Sequence, residues 1–342
     1  MIEVAIVGGG PAGAYCAYNL AKNGIPPTIF DHSHPREKPC GGMISPLAQE
    51  LFPFLKELPI DQTKRRKASF VSPFGKKFTL TFRKNEAICV SRLDLDQYLL
   101  NMALREGAKW VKEKVLNVRR KGKLWKIKTN KAVFLAEKLV GADGVNSLIR
   151  RKVTSPLKST DKGFCCGYFA EHLEDEEISF HFLPHREGYM WIIPRKNNTS
   201  IGIGCSEPRL SKGLFEELNA FIRTHYPNIK IISKWAALIP NIKEKETFRI
   251  PIAGPNWLLV GDAAGHVDPL NGEGIPYALL SGELAAQAIA ENNLQRYELL
   301  WRQAYGSRLL WGVKLRKWMY KKHVLECYCQ YLRVSNSLLA RA

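Results

Sequence analysis

The sequence predicts an α/β fold: a Rossmann-like domain interleaved along the chain with a β-rich (α+β) domain, then a C-terminal helical segment. Three observations predict it. A buried strand runs straight into a glycine-rich turn and a helix within residues 2–23. Two further apolar strands, ending near 141 and 261, each close on a Gly and an Asp. Between them, over about 160–250, short strand-like runs replace helical periodicity.

The 342 residues suit roughly two domains of 100–200 residues. No apolar run approaches the roughly 18 residues that cross a bilayer. The opening MIEVAIVGGG enters a strand at once, with no basic segment or signal core, so the expected location is the cytoplasm. The eight cysteines, 16, 40, 89, 165, 166, 205, 327 and 329, include no C-x-x-C pair and no zinc spacing. Free thiols and no metal are expected. The net charge of +19 admits nucleic acid, an anionic membrane or an anionic substrate.

Residues 2–7 read as a buried strand, 12–23 as a helix with small residues on one face, and 26–31 as a second strand ending in Asp31, a β-α-β unit. A helix is expected over 94–106, capped by Asp94, and strands over 109–140 with a turn at Lys121-Gly122-Lys123. The runs FCCGYFA, ISFHFL, YMWIIPR and TSIGIGCS are strands of the β-rich layer, interrupted by an amphipathic helix over 211–225. A strand over 251–260 and an Ala/Leu-rich helix over 274–291 return to the first domain. The division follows as 1–65, 89–157 and 251–300 for the Rossmann-like domain, 66–88 and 158–250 for the β-rich domain, and 301–342 for the tail.

The stretch Gly8-Gly9-Gly10-Pro11-Ala12-Gly13 is a G-x-G-x-x-G. Gly8 permits the turn, Gly10 lets a pyrophosphate approach the backbone, and Gly13 lets helix and strand pack closely. Asp31 stands where a carboxylate accepts from the adenosine ribose. Two further stretches, Gly141-Ala142-Asp143-Gly144 and Gly261-Asp262-Ala263-Ala264-Gly265, place an acid at the end of an apolar strand, where open α/β sheets bind ligands.

Together with Ser91-Arg92-x-x-Leu95-Asp96 and the run to Gly272-Glu273-Gly274, these motifs resemble the FAD-binding pattern of the para-hydroxybenzoate hydroxylase-like superfamily over about residues 1–300. The resemblance implies that FAD contacts Gly8, Gly10, Pro11, Ala12, Gly13 and Asp31. It implies that Arg92 reaches the flavin side, that backbone near Val115 meets the adenine, and that Asp143 and Gly144 join the site. Gly261 and Asp262 would face the ribityl chain, and Gly272, Gly274 and Ile275, opening a helix, the pyrimidine edge. Pro39-Cys40-Gly41-Gly42 is similar to the PCGG loop of geranylgeranyl reductase-like flavoproteins, and Tyr189-Met190-Trp191-Ile192-Ile193-Pro194-Arg195 to their Y-x-W-x-F-P-K motif. This implies that Cys40, Gly41, Gly42 and Met43 sit by the flavin and that Tyr189, Trp191 and Pro194 line the substrate cavity. The second stretch also resembles the W-x-W-x-I-P of flavin-dependent halogenases.

A thiol at Cys40 can donate a proton, tune the flavin or pair with another thiol; it can equally be a small packed residue. His266 can supply a proton near neutral pH or be a satisfied loop histidine. Residues 301–342 hold nine Lys/Arg and one acid, Glu326. Trp311, Leu315, Trp318, Leu325 and Leu332 fall on one helical stripe, interrupted by Lys322, which suits an anionic membrane surface or a helix packed on its own domain. With no recognised binding module, nucleic acid is not expected.

The resemblance thus implies an FAD-dependent reductase of prenyl carbon–carbon double bonds, with NADPH or a reduced iron–sulfur protein as electron donor. A monooxygenase or halogenase on the same scaffold is the second reading. A flavoprotein acting on a protein partner is the third. Oligomeric state is not legible.

Overall fold

The computed structural model describes residues 1–82, 84–173, 177–321, 323–327 and 329–331; of the tail stripe, Lys322 and Leu332 lie outside them. The chain forms two compact units, Met1–Arg36 with Leu93–Asp161 and Pro240–Val313, and Glu37–Arg92 with Lys162–Ile239 and the remainder.

The first unit is built on an eight-stranded sheet. Its strand order is Ala253–Gly254, Trp257–Leu259, Val133–Gly141, Ile2–Val7, Thr28–Phe30, Lys109–Val111. The four central pairings are parallel. Strands Val115–Lys121 and Leu124–Thr129 hang antiparallel from Val133–Gly141. Residues 4–7 are buried, as a strand covered on both faces requires. Helix Pro11–Lys22 packs on helix Ile275–Ala290, and the packing depends on small residues: a Cβ at Gly282 would lie 2.5 Å from the Ala12 carbonyl.

Three local expectations shift. The helix expected at 94–106 spans Arg92–Arg105, so Asp94 sits in its first turn and offsets the helix dipole instead of capping it. The helix expected from 211 begins at Leu214, because Gly213 takes a left-handed φ of 81°. The strand expected over 251–260 is broken into two short antiparallel strands by a turn at Pro255-Asn256.

The second unit holds a seven-stranded sheet in the order Ile231–Pro240, Lys162–Ala170, Thr199–Cys205, Gly188–Pro194, Ile178–Phe182, Lys67–Val71, Lys77–Thr81. Alternation along Gly188–Pro194 sends Met190 and Ile192 into a core with Leu214, Leu218 and Ile222 of helix Leu214–His225. Tyr189, Trp191 and Ile193 face the other way, among Phe70, Phe180 and Trp235. Strand Ala87–Val90 pairs with both Met43–Ile44 and Gln62–Arg65. That pairing draws 37–65 into this unit, whereas the sequence division set 1–65 in the first.

The tail begins as a continuous helical run: Tyr297–Trp301, a π-helical turn Arg302–Gly306, then Ser307–Met319. Trp301, Tyr305, Leu309 and Val313 are buried along one side. Trp311, Leu315 and Trp318 are 67%, 39% and 62% exposed on the other. Leu325, expected on the same stripe, is buried with Phe78 and Cys329. No helix among the described residues is long and apolar enough to cross a membrane.

Candidate functional site

In the first unit, three motifs far apart in sequence converge at the carboxyl ends of the parallel strands. A Cβ at Gly8 would lie 2.2 Å from the Ala142 carbonyl, and one at Gly13 would lie 2.0 Å from the Gly8 carbonyl. A Cβ at Gly261 would meet Ala12 at 2.8 Å, and one at Gly274 would stand 3.7 Å from Asp262 Oδ1. At Gly10 the nearest atom is Arg36 Nη2, 3.8 Å away, so the mouth of the turn is open and faces a guanidinium. No cap side chain accepts from the first-turn amides of Pro11–Lys22 or Ile275–Ala290. Open amides at a helix N-terminus beside a cation fit a pyrophosphate.

Asp31 does more than wait for a ribose. Its Oδ2 accepts from the Gly9 amide at 2.7 Å, and its Oδ1 from the Ser33 amide and hydroxyl at 2.7 and 2.6 Å. Burial opposes its charge, but the Ser33 hydroxyl and then the two amides hold its carboxyl below the usual range. Ser33 accepts from Arg36 Nε at 2.8 Å, and Arg36 reaches the fully buried Asp96 at 3.4 Å. A chain of polar groups from Asp31 to Asp96 thus fixes the glycine turn and aims Arg36. Arg36 was not picked out in the sequence, although a cation soon after the strand-two acid was its visible signal.

Asp143 also serves the local backbone. It accepts from the Ser147 hydroxyl and from the amides of Leu148 and Ile149, at 2.6 and 3.1 Å. It therefore caps helix Leu148–Val153, and Gly144 (φ 81°) turns the chain into it. Val115 opens its strand opposite Thr129, at a register shift. Gly272 takes a φ of 72° in the loop before Gly274 and Ile275, which open the next helix. His266 is fully buried, 2.9 Å from the Tyr305 hydroxyl through Nδ1 and ring to ring with Trp301 at 4.7 Å. Burial pushes its pKa down to about 3, with Arg150 and Arg302 adding to the shift. It is neutral at physiological pH, and only one of its ring nitrogens is satisfied: Nε2 is buried with no hydrogen-bond partner among the described residues.

In the second unit, the Cys40 loop is held by a buried ion pair. Arg195 is 1% exposed. Its Nη1 donates to Glu37 Oε1 at 2.9 Å, its Nε to the Gly41 carbonyl at 3.2 Å, and its Nη2 to the Cys40 carbonyl. Glu37 also accepts from the Ser91 hydroxyl and, at 3.1 Å, from the Arg92 amide. The Arg92 side chain is itself buried. Gly42 has a φ of 78°, and a Cβ there would meet the Val90 carbonyl at 2.1 Å. Its amide donates to Cys40 Sγ at 3.3 Å. Met43 begins the strand that pairs with Ala87–Val90.

This loop is seated against the aromatic strand. A Cβ at Gly41 would lie 2.6 Å from Ile193 and 3.7 Å from Trp191 Nε1. Trp191 Nε1 donates to Ser200 Oγ at 3.2 Å, and Ser200 donates to the Cys40 carbonyl at the same distance. From Trp191 a file of rings runs across the sheet: Trp235 at 5.8 Å on one side, then Tyr189, Phe180, Phe70 and Phe78 at successive spacings of 6.0, 5.8, 5.2 and 5.2 Å on the other. Pro194 ends the strand, buried and paired with Thr199. The structure brings the PCGG loop and the Tyr189–Trp191 motif together. Neither Glu37 nor the role of Arg195 was anticipated. Burial pushes the Cys16, Cys89 and Cys166 thiols up to about 12, and Cys165 further. Cys40 remains half-buried.

Comparison with known proteins decides the family. The sequence pattern described as FAD dependent oxidoreductase matches residues 61–288, and that of an NAD(P)-binding Rossmann-like domain matches 6–45. A digeranylgeranylglycerophospholipid reductase of Methanocaldococcus jannaschii is 30% identical, over 92% of this chain and 86% of its own. The chain is a geranylgeranyl reductase-like FAD-dependent oxidoreductase. The structure of a geranylgeranyl bacteriochlorophyll reductase-like protein of Thermoplasma acidophilum superposes on this flavoprotein with a TM-score of 0.83. It is 23% identical, and the match covers 96% of this chain and 90% of that one. A flavin-dependent brominase has the same fold at a TM-score of 0.72 and 17% identity, over 99% and 92% of the two chains.

Proposed function

We propose that this oxidoreductase adds two hydrogens across carbon–carbon double bonds of a geranylgeranyl-type prenyl lipid. The observation that carries the reading is the seating of the Cys40 loop on the file of aromatic rings. A file of aromatic rings suits an isoprenoid chain, and the loop that carries the half-buried Cys40 is seated on that file at Trp191. Reduced FAD supplies the hydride that one alkene carbon receives. The proton for the other carbon comes from a group held in line with it, a role we assign to the Cys40 thiol. Arg195 and Glu37 fix the backbone that carries this thiol. The reductant that recharges the flavin is NADPH or a reduced iron–sulfur protein. The relative's name, a reductase of a geranylgeranyl phospholipid, supports the substrate class.

The exposed stripe Trp311, Leu315 and Trp318, flanked by Arg308, Lys314 and Lys317, would rest on an anionic bilayer where such a substrate resides. Replacing both tryptophans by serine should abolish sedimentation with phosphatidylglycerol vesicles while leaving bound FAD unchanged.

The deciding experiment is anaerobic. The flavin is reduced chemically under argon and a geranylgeranyl lipid is added. The reading expects the oxidised flavin band to return and the lipid to gain two hydrogens. A flavin that stays reduced until oxygen is admitted, then gives an oxygenated or halogenated product, would sink it in favour of the brominase-like alternative.

A further inference from the structure

The first unit has a cavity of about 450 Å³ that no motif accounts for. It lies between strands Val115–Lys121 and Leu124–Thr129, the end of helix Leu148–Val153 and the start of strand Trp257–Leu259. Arg119, Arg120 and Lys152 line it with Asn117, Trp125 and Trp257. The three cations are exposed, and no ion pair is recorded for them among the described residues. Two of them belong to a stretch, 112–131, with nine Lys/Arg and one Glu, the same count as the tail in about half its length.

Two features separate this cavity from the glycine turn. Trp125 pairs with Ala136, five residues before the strand end at Gly141, or about 16 Å along the strand. Lys152 is in the last turn of the helix whose first turn Asp143 caps. The cavity therefore opens toward the amino-terminal ends of the parallel strands, away from the motifs that hold FAD.

The lining has a specific chemistry. Strand alternation puts Arg120 on the face of Trp125, where its guanidinium and the Lys152 ammonium, with no acid between them, suit a phosphate. Trp257, half-buried, offers a flat apolar wall. We propose that this groove binds an organic phosphate, at a site distinct from the FAD cradle. Arg120 and Lys152 hold the phosphate, and Trp257 covers the organic part.

The test uses the purified, FAD-loaded protein. Tryptophan fluorescence and calorimetry follow titration with inorganic phosphate, sn-glycerol 3-phosphate and dihexanoyl phosphatidylglycerol. Saturable binding of one of the two glycerol phosphates, at least fivefold tighter than inorganic phosphate, is expected. Arg120→Ala and Lys152→Ala should each weaken it at least tenfold with FAD content unchanged. Trp257→Ala should erase the preference over inorganic phosphate, and Trp257→Phe should keep it while diminishing the fluorescence change. Preference for the diacyl compound identifies a lipid headgroup as the source, and preference for glycerol phosphate a soluble one. Equal binding of all three, insensitive to the variants, or no saturable binding at all, would overturn the site.

Discussion

The nucleotide turn and the Cys40 loop are both glycine-rich and both include a close backbone approach, Gly8 on Ala142 and Gly42 on Val90, but side chains grip their carbonyls to different degrees. At Gly8 and Gly13 the turn is set by backbone against backbone, with no room for a methyl group. At Cys40 and Gly41 the backbone carbonyls are gripped by one side chain, Arg195, whose charge is met by Glu37. A turn defined by close approach tolerates no substitution. A loop defined by an ion pair can be loosened in steps, which suits a segment that carries a reactive group.

The largest expected effect breaks the first half of that contrast. Gly13→Ala should cost about 3 kcal/mol or more through overpacking and yield protein without FAD, read from the flavin absorbance of the purified product. Gly144→Ala, at a left-handed φ but with open space beside it, should cost only about 1–2 kcal/mol and keep the cofactor. Equal outcomes for the two would mean that close approach does not build the cradle.

Arg195→Met tests the second half. It strands Glu37, but that side chain keeps 24% of its surface in water, so a loss of about 2–3 kcal/mol is expected in denaturant unfolding. Cys40 should then alkylate faster, and Arg195→Lys should recover part of both losses. An unchanged alkylation rate would show that the ion pair does not hold the loop.

His266 gives the first unit a pH dependence. Its folded pKa, about 3, lies below the unfolded value near 6.5, so the unfolded chain binds its proton first. Its contribution is complete above about pH 6.5 and is lost as pH falls toward about 3, by about 1.4 kcal/mol per pH unit. His266→Gln should flatten that part of the unfolding profile; an unaltered slope would refute the assignment. Smaller still, Cys40→Ser should retain FAD and slow turnover at least tenfold, about 1.4 kcal/mol in the barrier. Turnover at the original rate would remove Cys40 from the chemistry.

Much of the fold was legible because its signals are local. A strand, three glycines and an acid lie within 31 residues, and periodicity separates the β-rich layer from its neighbours. What escaped was either non-local or shared between roles. Arg195 and Glu37 lie 158 positions apart, and nothing in sequence pairs them. Asp143 reads as a ligand-facing acid because it ends a strand, and its bonds to Ser147 and to the helix that follows are a second role with no separate signal. His266 reads as a titrating group until Tyr305 and Trp301 close over it. The broken strand at 253–259 had its signal in Pro255, outweighed by the apolar run around it.

The π-helical turn at Arg302–Gly306 has a bearing on ancestry. Such a turn is an α-helix carrying one surplus residue, and each residue advances a helix by about 100°. A relative with a straight helix here would present a different side of its last three turns to the domain. Any alignment through the tail must therefore place its gap within 302–306. Placed elsewhere, it would match Trp311 and Trp318 to positions that point inward, and the outward tryptophans would look like a novelty of this lineage instead of a change of phase.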